Sequence, residues 1–185
     1  EGSHGIASYL QGDKTAQYAG RLTLNPIPHI DLLGSIILPF LSIRFGGLII
    51  GYAKPVPYNP YNLRNQKWGP AIVGLAGPLS NIFIAFIFGL VYRLTIFAPE
   101  LSGLKEAFFI IASINVGLAV LNMLPIPPLD GSKIFHAFFP NQAHRFEIIF
   151  SGLGILLIFP LIILLSPLLS IINRLVLTII VGNAF

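Results

Sequence analysis

The pattern Glu1-x-x-His4, close to the start of the chain, has the spacing of a metal-dependent hydrolase motif. Residues four apart on an α-helix share a face. A His-Glu-x-x-His helix uses this spacing to direct two imidazoles at one zinc ion, with the glutamate beside the catalytic water. The first histidine of such a motif would precede Glu1. A cloning remnant would also explain Gly2-Ser3-His4, so both interpretations stay open on these residues alone.

A second pattern is the run Asn122-Met-Leu-Pro-Ile-Pro-Pro-Leu-Asp130-Gly131, which follows an apolar stretch. Proline lacks an amide donor, so the three prolines predict a stiff, partly extended turn. A carboxylate at membrane depth is costly without a partner, which makes Asp130 a candidate functional residue. Asp130 could equally be an ordinary cap at the start of the next helix.

A third pattern, Gly77-Pro78-Leu79-Ser80-Asn81, lies inside a long apolar stretch. Small residues in membrane helices usually allow close packing, and Asn81 could bond a neighbouring helix without any catalytic part. Three histidines lie elsewhere. His29 is interpreted either as a site residue or as a structural loop residue, while His136 and His144 are interpreted as surface residues.

Composition places these patterns in a membrane protein. Of 185 residues, 55% are hydrophobic and 10% are charged, against about 25% charged in soluble domains, and the mean hydropathy is +0.81. The 11 Lys and Arg residues are scattered singly, whereas nucleic-acid binders cluster theirs. The chain has no cysteine, so a metal would be held by His, Asp or Glu.

The elements that would position these residues are mostly helices. We predict an all-α integral membrane protein, a polytopic helical bundle with a first helix closed by Gly12 and a short strand or hairpin at Arg21–Leu24. Residues 33–51 carry Pro39 and Arg44, so a full crossing and a re-entrant segment both stay open. The remaining candidate spans are residues 70–97, 106–124, 146–165 and 167–183.

Together, the three patterns and their order resemble the site-2 protease family of intramembrane zinc proteases. The likeness is to the compact subgroup without an appended PDZ or CBS domain. That family pairs His-Glu-x-x-His on one membrane helix with a later Leu-Asp-Gly, and it carries Gly-Pro-x-x-Asn between them. The connecting segments that also resemble the subgroup are 12–16, 21–31 and 53–57.

The resemblance implies a role for each matching residue. His4 and Asp130 would be zinc ligands, and a histidine preceding Glu1 would be the third. Glu1 would be the general base, and Asn122 would assist at the site or contact the substrate. Asn81 and His29 would support the site or bind substrate. The resemblance covers residues 1–145, which we predict as the metalloprotease core, with additional transmembrane helices in 146–185.

The implied function is hydrolysis of peptide bonds within transmembrane helices of other membrane proteins, with Zn2+ as cofactor and the lipid bilayer as surroundings. The stretch around Leu22 to Leu24 could pair with an unwound substrate by strand addition. No nucleic-acid partner is expected, and the oligomeric state is left open. We expect a multi-pass protein, in the cell membrane if the source is prokaryotic. The alternatives are a non-catalytic membrane scaffold and a small transporter.

Overall fold

The fold was analysed in a computed structural model that describes residues 1–23, 25–40, 44, 51–95, 97 and 99–182, without the side chains of 99, 101, 102 and 151–159. Its described residues are helical or irregular and contain no strand, which confirms the all-α prediction. The α-helices are α1 (Gly2–Leu10), α2 (Thr15–Tyr18), α3 (Gly69–Leu94), α4 (Lys105–Asn122), α5 (Asp130–Phe138) and α6 (Pro140–Val181). Short 3-10 helices cover Ile27–His29, Pro60–Asn62 and Pro99–Leu104, and a π-helix covers Leu32–Ile37.

Within the described residues, three helical segments are long and apolar enough to cross a bilayer: Gly69–Leu94, Lys105–Asn122 and Pro160–Val181. The first two agree with the spans predicted from the sequence. The two spans predicted at the C-terminal end are instead parts of one continuous helix, α6, which contains both Pro160 and Pro167. A proline removes one helical hydrogen bond, and membrane helices tolerate that loss when neighbouring groups satisfy the freed carbonyl.

The short strand predicted over Arg21–Leu24 is not found in its described part. Arg21 and Leu22 are irregular and Thr23 is a bend, while Leu24 lies outside the described residues. Alternation of side chains predicted a strand here, but a strand needs a neighbouring strand to pair with. Here the contact with another segment is made instead by the Arg21 side chain, which donates to the Lys54 and Pro55 carbonyls. The predicted strand addition therefore stays a prediction. Residues 41–43 and 45–50 of the segment 33–51 lie outside the described residues, so its crossing of the bilayer stays open.

The chain divides into two compact units, residues 1–73 and 74–185, which are described separately. In the first unit, α1 and α2 pack on each other and on the loop that leads to α3. Its most buried side chains include Ser8, Asp13, Ala16 and Val56. The division proposed at residue 145 stays a prediction.

The second unit is built around three helices. Ala85 of α3, Ala112 and Val116 of α4, and Leu177 and Ile180 of α6 form its buried core. Small and β-branched residues at most of these positions let the helices approach closely, as is common in membrane bundles. Aromatic side chains border this core, in the pairs Phe88–Phe108 and Tyr92–Phe109.

The ends of these helices are fixed by polar contacts. The Arg93 guanidinium near the end of α3 donates to the Ile179 carbonyl near the end of α6, at 2.5 Å. The ammonium group of Lys105, the first residue of α4, lies 5.1 Å from the centre of the Tyr92 ring. Helix α4 therefore begins where α3 and α6 end, and runs antiparallel to α3.

Candidate metal and catalytic site

His4 lies on α1 and is half-buried. Its Nδ1 is 2.7 Å from the Val73 carbonyl oxygen. A carbonyl only accepts hydrogen bonds, so this contact requires a proton on Nδ1, and in the neutral ring the lone pair then lies on Nε2. Metal-binding histidines commonly use one ring nitrogen in this way and coordinate through the other. The contact is therefore compatible with the predicted coordination through Nε2.

Glu1 immediately precedes the same helix, at the N-cap position, but its carboxylate does not cap α1. Instead, the Val56 backbone N–H donates to Glu1 Oε2 at 2.9 Å. Val56 lies between Pro55 and Pro57, which have no amide hydrogen, so it carries the single N–H of those three residues. Glu1 and His4 are thus each oriented by a backbone group of a distant segment.

Close packing around α1 explains its small residues. A Cβ on Gly5 would lie 3.2 Å from side-chain carbons of both Leu22 and Val56. Ser8 is fully buried and bonds the Gly5 carbonyl at 3.0 Å. A larger residue at Gly5 would push the Val56 segment, and its amide, away from α1.

Asp130 is the first residue of α5, and the N-cap of that helix is Leu129. Its side chain is largely buried, and it accepts from Lys133 Nζ at 2.8 Å. The positive end of the helix dipole also favours an anion at this position. These contacts favour a charged carboxylate, as a metal ligand must be, and they do not correspond to the N-cap role considered from the sequence.

Glycines hold the Asp130 turn against its neighbours within the second unit. A Cβ on Gly131 would overlap the carbonyl oxygens of Met123 and Leu124. A Cβ on Gly74 would lie 2.9 Å from the Asp130 carbonyl oxygen. The glycine after Asp130 is therefore required by close contact with the end of α4, and Gly74 lets α3 approach the start of α5.

The remaining predicted site residues are placed as follows. Asn122 is the last residue of α4 and is half-buried, and Asn81 lies half-buried on α3. His29 ends a short 3-10 helix, with its Nε2 3.1 Å from the Thr23 carbonyl oxygen and its own carbonyl accepting from the Lys54 amide at 2.9 Å. These contacts match the structural loop interpretation of His29. The catalytic and binding roles of all three stay predictions.

The donor set fits zinc in type. An imidazole with its lone pair on Nε2 and a buried carboxylate are both ordinary zinc ligands. Across the described part of the chain, no three His, Asp or Glu side chains form a group that could hold a metal ion. A catalytic zinc takes three protein ligands, and the assignment of His4, Asp130 and a histidine before Glu1 to these positions stays a prediction.

Asp13 is a charged residue of the first unit that sequence reasoning left without a role. It is fully buried and accepts from the Thr15 amide, the Thr15 hydroxyl, the Asn59 amide and the Asn62 side chain, at 2.5 to 3.1 Å. Burial raises the pKa of its carboxyl, but the four hydrogen bonds outweigh that effect and hold the pKa below its ordinary value. Asp13 is therefore an ionised structural centre.

Sequence reasoning also missed the groups that orient the candidate residues. The Val56 amide and the Val73 carbonyl belong to the backbone, so no side-chain pattern identifies them. Lys133, three residues after Asp130, could have been found from the helical spacing of opposite charges. The run Pro55-Val56-Pro57 also carried a signal, since a lone amide between prolines is a defined donor.

Comparison with known proteins agrees with these features. Residues 96–161, which include Asn122 and Asp130, match the sequence profile of peptidase family M50. YwhC of Bacillus subtilis, named as a candidate zinc metalloprotease, is 38% identical over 144 residues, or 75% of this chain and 63% of its own length. Rip2 of Mycolicibacterium smegmatis, similarly named, is 32% identical over 71% of this chain and 49% of its own length.

An archaeal relative, MJ0611 of Methanocaldococcus jannaschii, is also named as a candidate zinc metalloprotease. It is 39% identical over 100 residues, or 54% of this chain and 49% of its own length. The chain thus spans about half to two thirds of the length of these three relatives. No solved structure matches the chain at a significant level.

Proposed function

Because the chain belongs to peptidase family M50, the site-2 protease family, we propose that it is an intramembrane zinc metalloprotease. Its substrates are transmembrane helices of other membrane proteins, whose peptide bonds it hydrolyses. The observation that carries the proposal is the orientation of Glu1 and His4, one helical turn apart, by the Val56 amide and the Val73 carbonyl. The three apolar helices of the described residues support an integral membrane protein. The bacterial and archaeal origin of its relatives supports the cell membrane as its location.

The metal ligands in this proposal are His4 through Nε2, Asp130 through its carboxylate, and the histidine expected before Glu1. Zinc, when bound, supplies a Lewis acid that makes water a nucleophile near neutral pH and polarises the scissile carbonyl. The hydrogen bond to the Val73 carbonyl keeps a proton on Nδ1, so that the neutral ring of His4 would coordinate through Nε2, and the Asp130 carboxylate is largely buried.

Glu1 is the general base of the proposed reaction. It accepts a proton from the attacking water and returns it to the nitrogen of the leaving peptide. Asn122 can donate a neutral hydrogen bond to the oxygen that gains charge, an interaction worth a few kcal/mol, about 3, in a dry site. Asn81 and His29 would support the site from α3 and from the loop before residue 30.

The proposal is tested with the full-length chain in liposomes that also contain a transmembrane substrate. Glu1→Gln should abolish cleavage while retaining about one zinc per chain, because the amide keeps the shape of the carboxylate but cannot accept the proton. Glu106→Gln, at an exposed position of α4, is the matched control and should cleave normally.

The zinc measurement separates the enzyme from a non-catalytic scaffold. A scaffold would carry no zinc and would cleave nothing in either variant. Undiminished cleavage by Glu1→Gln would also refute the assignment of the base. Loss of zinc on His4→Ala and Asp130→Ala, with the fold kept, would support the proposed ligand set.

A further inference from the structure

A proline-rich segment, residues 54–62 (Lys-Pro-Val-Pro-Tyr-Asn-Pro-Tyr-Asn), supplies the amide that holds Glu1. Prolines flank Val56, so no adjacent N–H competes for the carboxylate. The position of Glu1 Oε2 therefore depends on where the backbone of this segment lies. The groups that fix this backbone next to Val56 fix the carboxylate as well.

Arg21 holds the segment immediately before Val56. Its Nη2 donates to the Lys54 carbonyl at 2.5 Å and to the Pro55 carbonyl at 3.3 Å. The residue is only 6% exposed. A guanidinium is planar and rigid, and it is always charged, so it fixes two consecutive carbonyls more firmly than a flexible ammonium would. The Arg21 guanidinium therefore contacts the carbonyls of the two residues that precede Val56, whose amide donates to Glu1.

The same segment is held at two further points. The Lys54 amide donates to the His29 carbonyl at 2.9 Å. At its other end, the buried carboxylate of Asp13 accepts from the Asn59 amide at 2.8 Å and from the Asn62 side chain at 3.1 Å. The buried Arg21 guanidinium thus donates to carbonyls before Val56, and the buried Asp13 carboxylate accepts from N–H groups after it.

We propose that Arg21 is a positioning residue for catalysis, which acts through the Val56 amide to set the Glu1 carboxylate. This inference rests on the proposed role of Glu1 as general base. It assigns a function to a buried charge whose printed hydrogen bonds go to the backbone of the proline-rich segment. A base must lie within hydrogen-bond reach of the proton it removes, and a shift of about 1 Å can cost about 100-fold in rate.

The decisive comparison is Val56→Pro against Val56→Ala, both in the full-length chain with a transmembrane substrate. Both variants change the side chain that packs near Gly5, but only proline removes the amide hydrogen. We expect kcat of Val56→Pro to be about 100-fold below that of Val56→Ala, with KM and zinc content equal in the two. A merely structural segment would not separate kcat from KM and zinc in this way.

Arg21 is tested separately, in case Val56→Pro does not fold. Arg21→Met keeps the apolar stem and removes both carbonyl contacts, whereas Arg21→Lys keeps a cation that can reach one carbonyl. We expect kcat to fall about tenfold or more in Arg21→Met and to be partly restored in Arg21→Lys, with zinc content unchanged.

The outcomes divide clearly. Equal kcat in Val56→Pro and Val56→Ala, or in wild type and Arg21→Met, would overturn the inference. Parallel loss of zinc and activity would also overturn it, because Arg21 would then support the metal site or the fold. A wild-type chain that cleaves nothing would refute the proposed function itself, a result that no variant is needed to recognise.

Discussion

Replacing Asp13 by Asn should destabilise the first unit strongly although the side-chain shape is kept. Oδ1 of Asp13 accepts from Thr15 and Asn62, and Oδ2 accepts from the Asn59 amide. If the new amide keeps the Oδ1 contacts, its NH2 group must face the Asn59 N–H. One charge-assisted bond is lost, at about 1.5–3 kcal/mol, and two buried donors oppose each other, so the total is about 3 kcal/mol.

The expected change can be measured in two ways. For a chain of this length, about 3 kcal/mol corresponds to a fall in Tm of about 6–12 °C, which thermal denaturation in detergent would detect. Hydrogen exchange should also rise at residues 59–62, because Asp13 no longer holds that end of the proline-rich segment. Glu106→Gln, at an exposed position, serves as the control for the loss of one carboxylate charge.

The reasoning would be refuted by a Tm of Asp13→Asn within 2 °C or so of the Glu106→Gln control, with unchanged exchange at residues 59–62. In that case, the negative charge of Asp13 and its hydrogen bond from the Asn59 amide would contribute no net stability. A fall in Tm without faster exchange in this segment would show that the effect lies elsewhere in the chain.

Further predictions follow from the same contacts. The pKa of Asp13 is lowered in the folded chain. The stability that Asp13 contributes is therefore present above its unfolded pKa and is lost as pH falls through its folded pKa. Tm should decline below about pH 4, and this decline should be much smaller in Asp13→Asn. Gly131→Ala should lower both Tm and zinc content, because a Cβ would overlap two carbonyls of the α4 end; an unchanged zinc content would contradict this. Arg93→Met should lower Tm by loosening the end of α6, whereas Arg145→Met, at an exposed position, should not.

The apolar spans were the easiest part to predict from the sequence. A stretch of about 20 apolar residues is the length that a membrane-spanning helix needs, so it predicts such a helix directly. Helices α3 and α4 begin and end within a few residues of their predicted bounds. The continuous α6 was not predicted, because proline was taken to end a helix. In this helix, Pro160 and Pro167 both lie inside the element.

The candidate site was predictable only in its side chains. The patterns at Glu1, His4 and Asp130 are local in sequence: helical spacing made Glu1 and His4 candidates, and the position of Asp130 after an apolar stretch made it one. The groups that orient them are an amide 55 residues from Glu1 and a carbonyl 69 residues from His4. Such partners are set by tertiary packing, and a single sequence contains no periodicity that reveals them.

The Arg93 contact shows that α3 and α6 end at the same level, and this level would face one side of the membrane. Helix α4 leaves that end and returns to the level where α3 starts, where Gly74 lies against the Asp130 turn. Under the proposed function, cleavage beside Asp130 would therefore occur toward the membrane side opposite Arg93. Since the chain has no cysteine, single cysteines placed at Gly103 and at His136 would report this sidedness to an impermeant label.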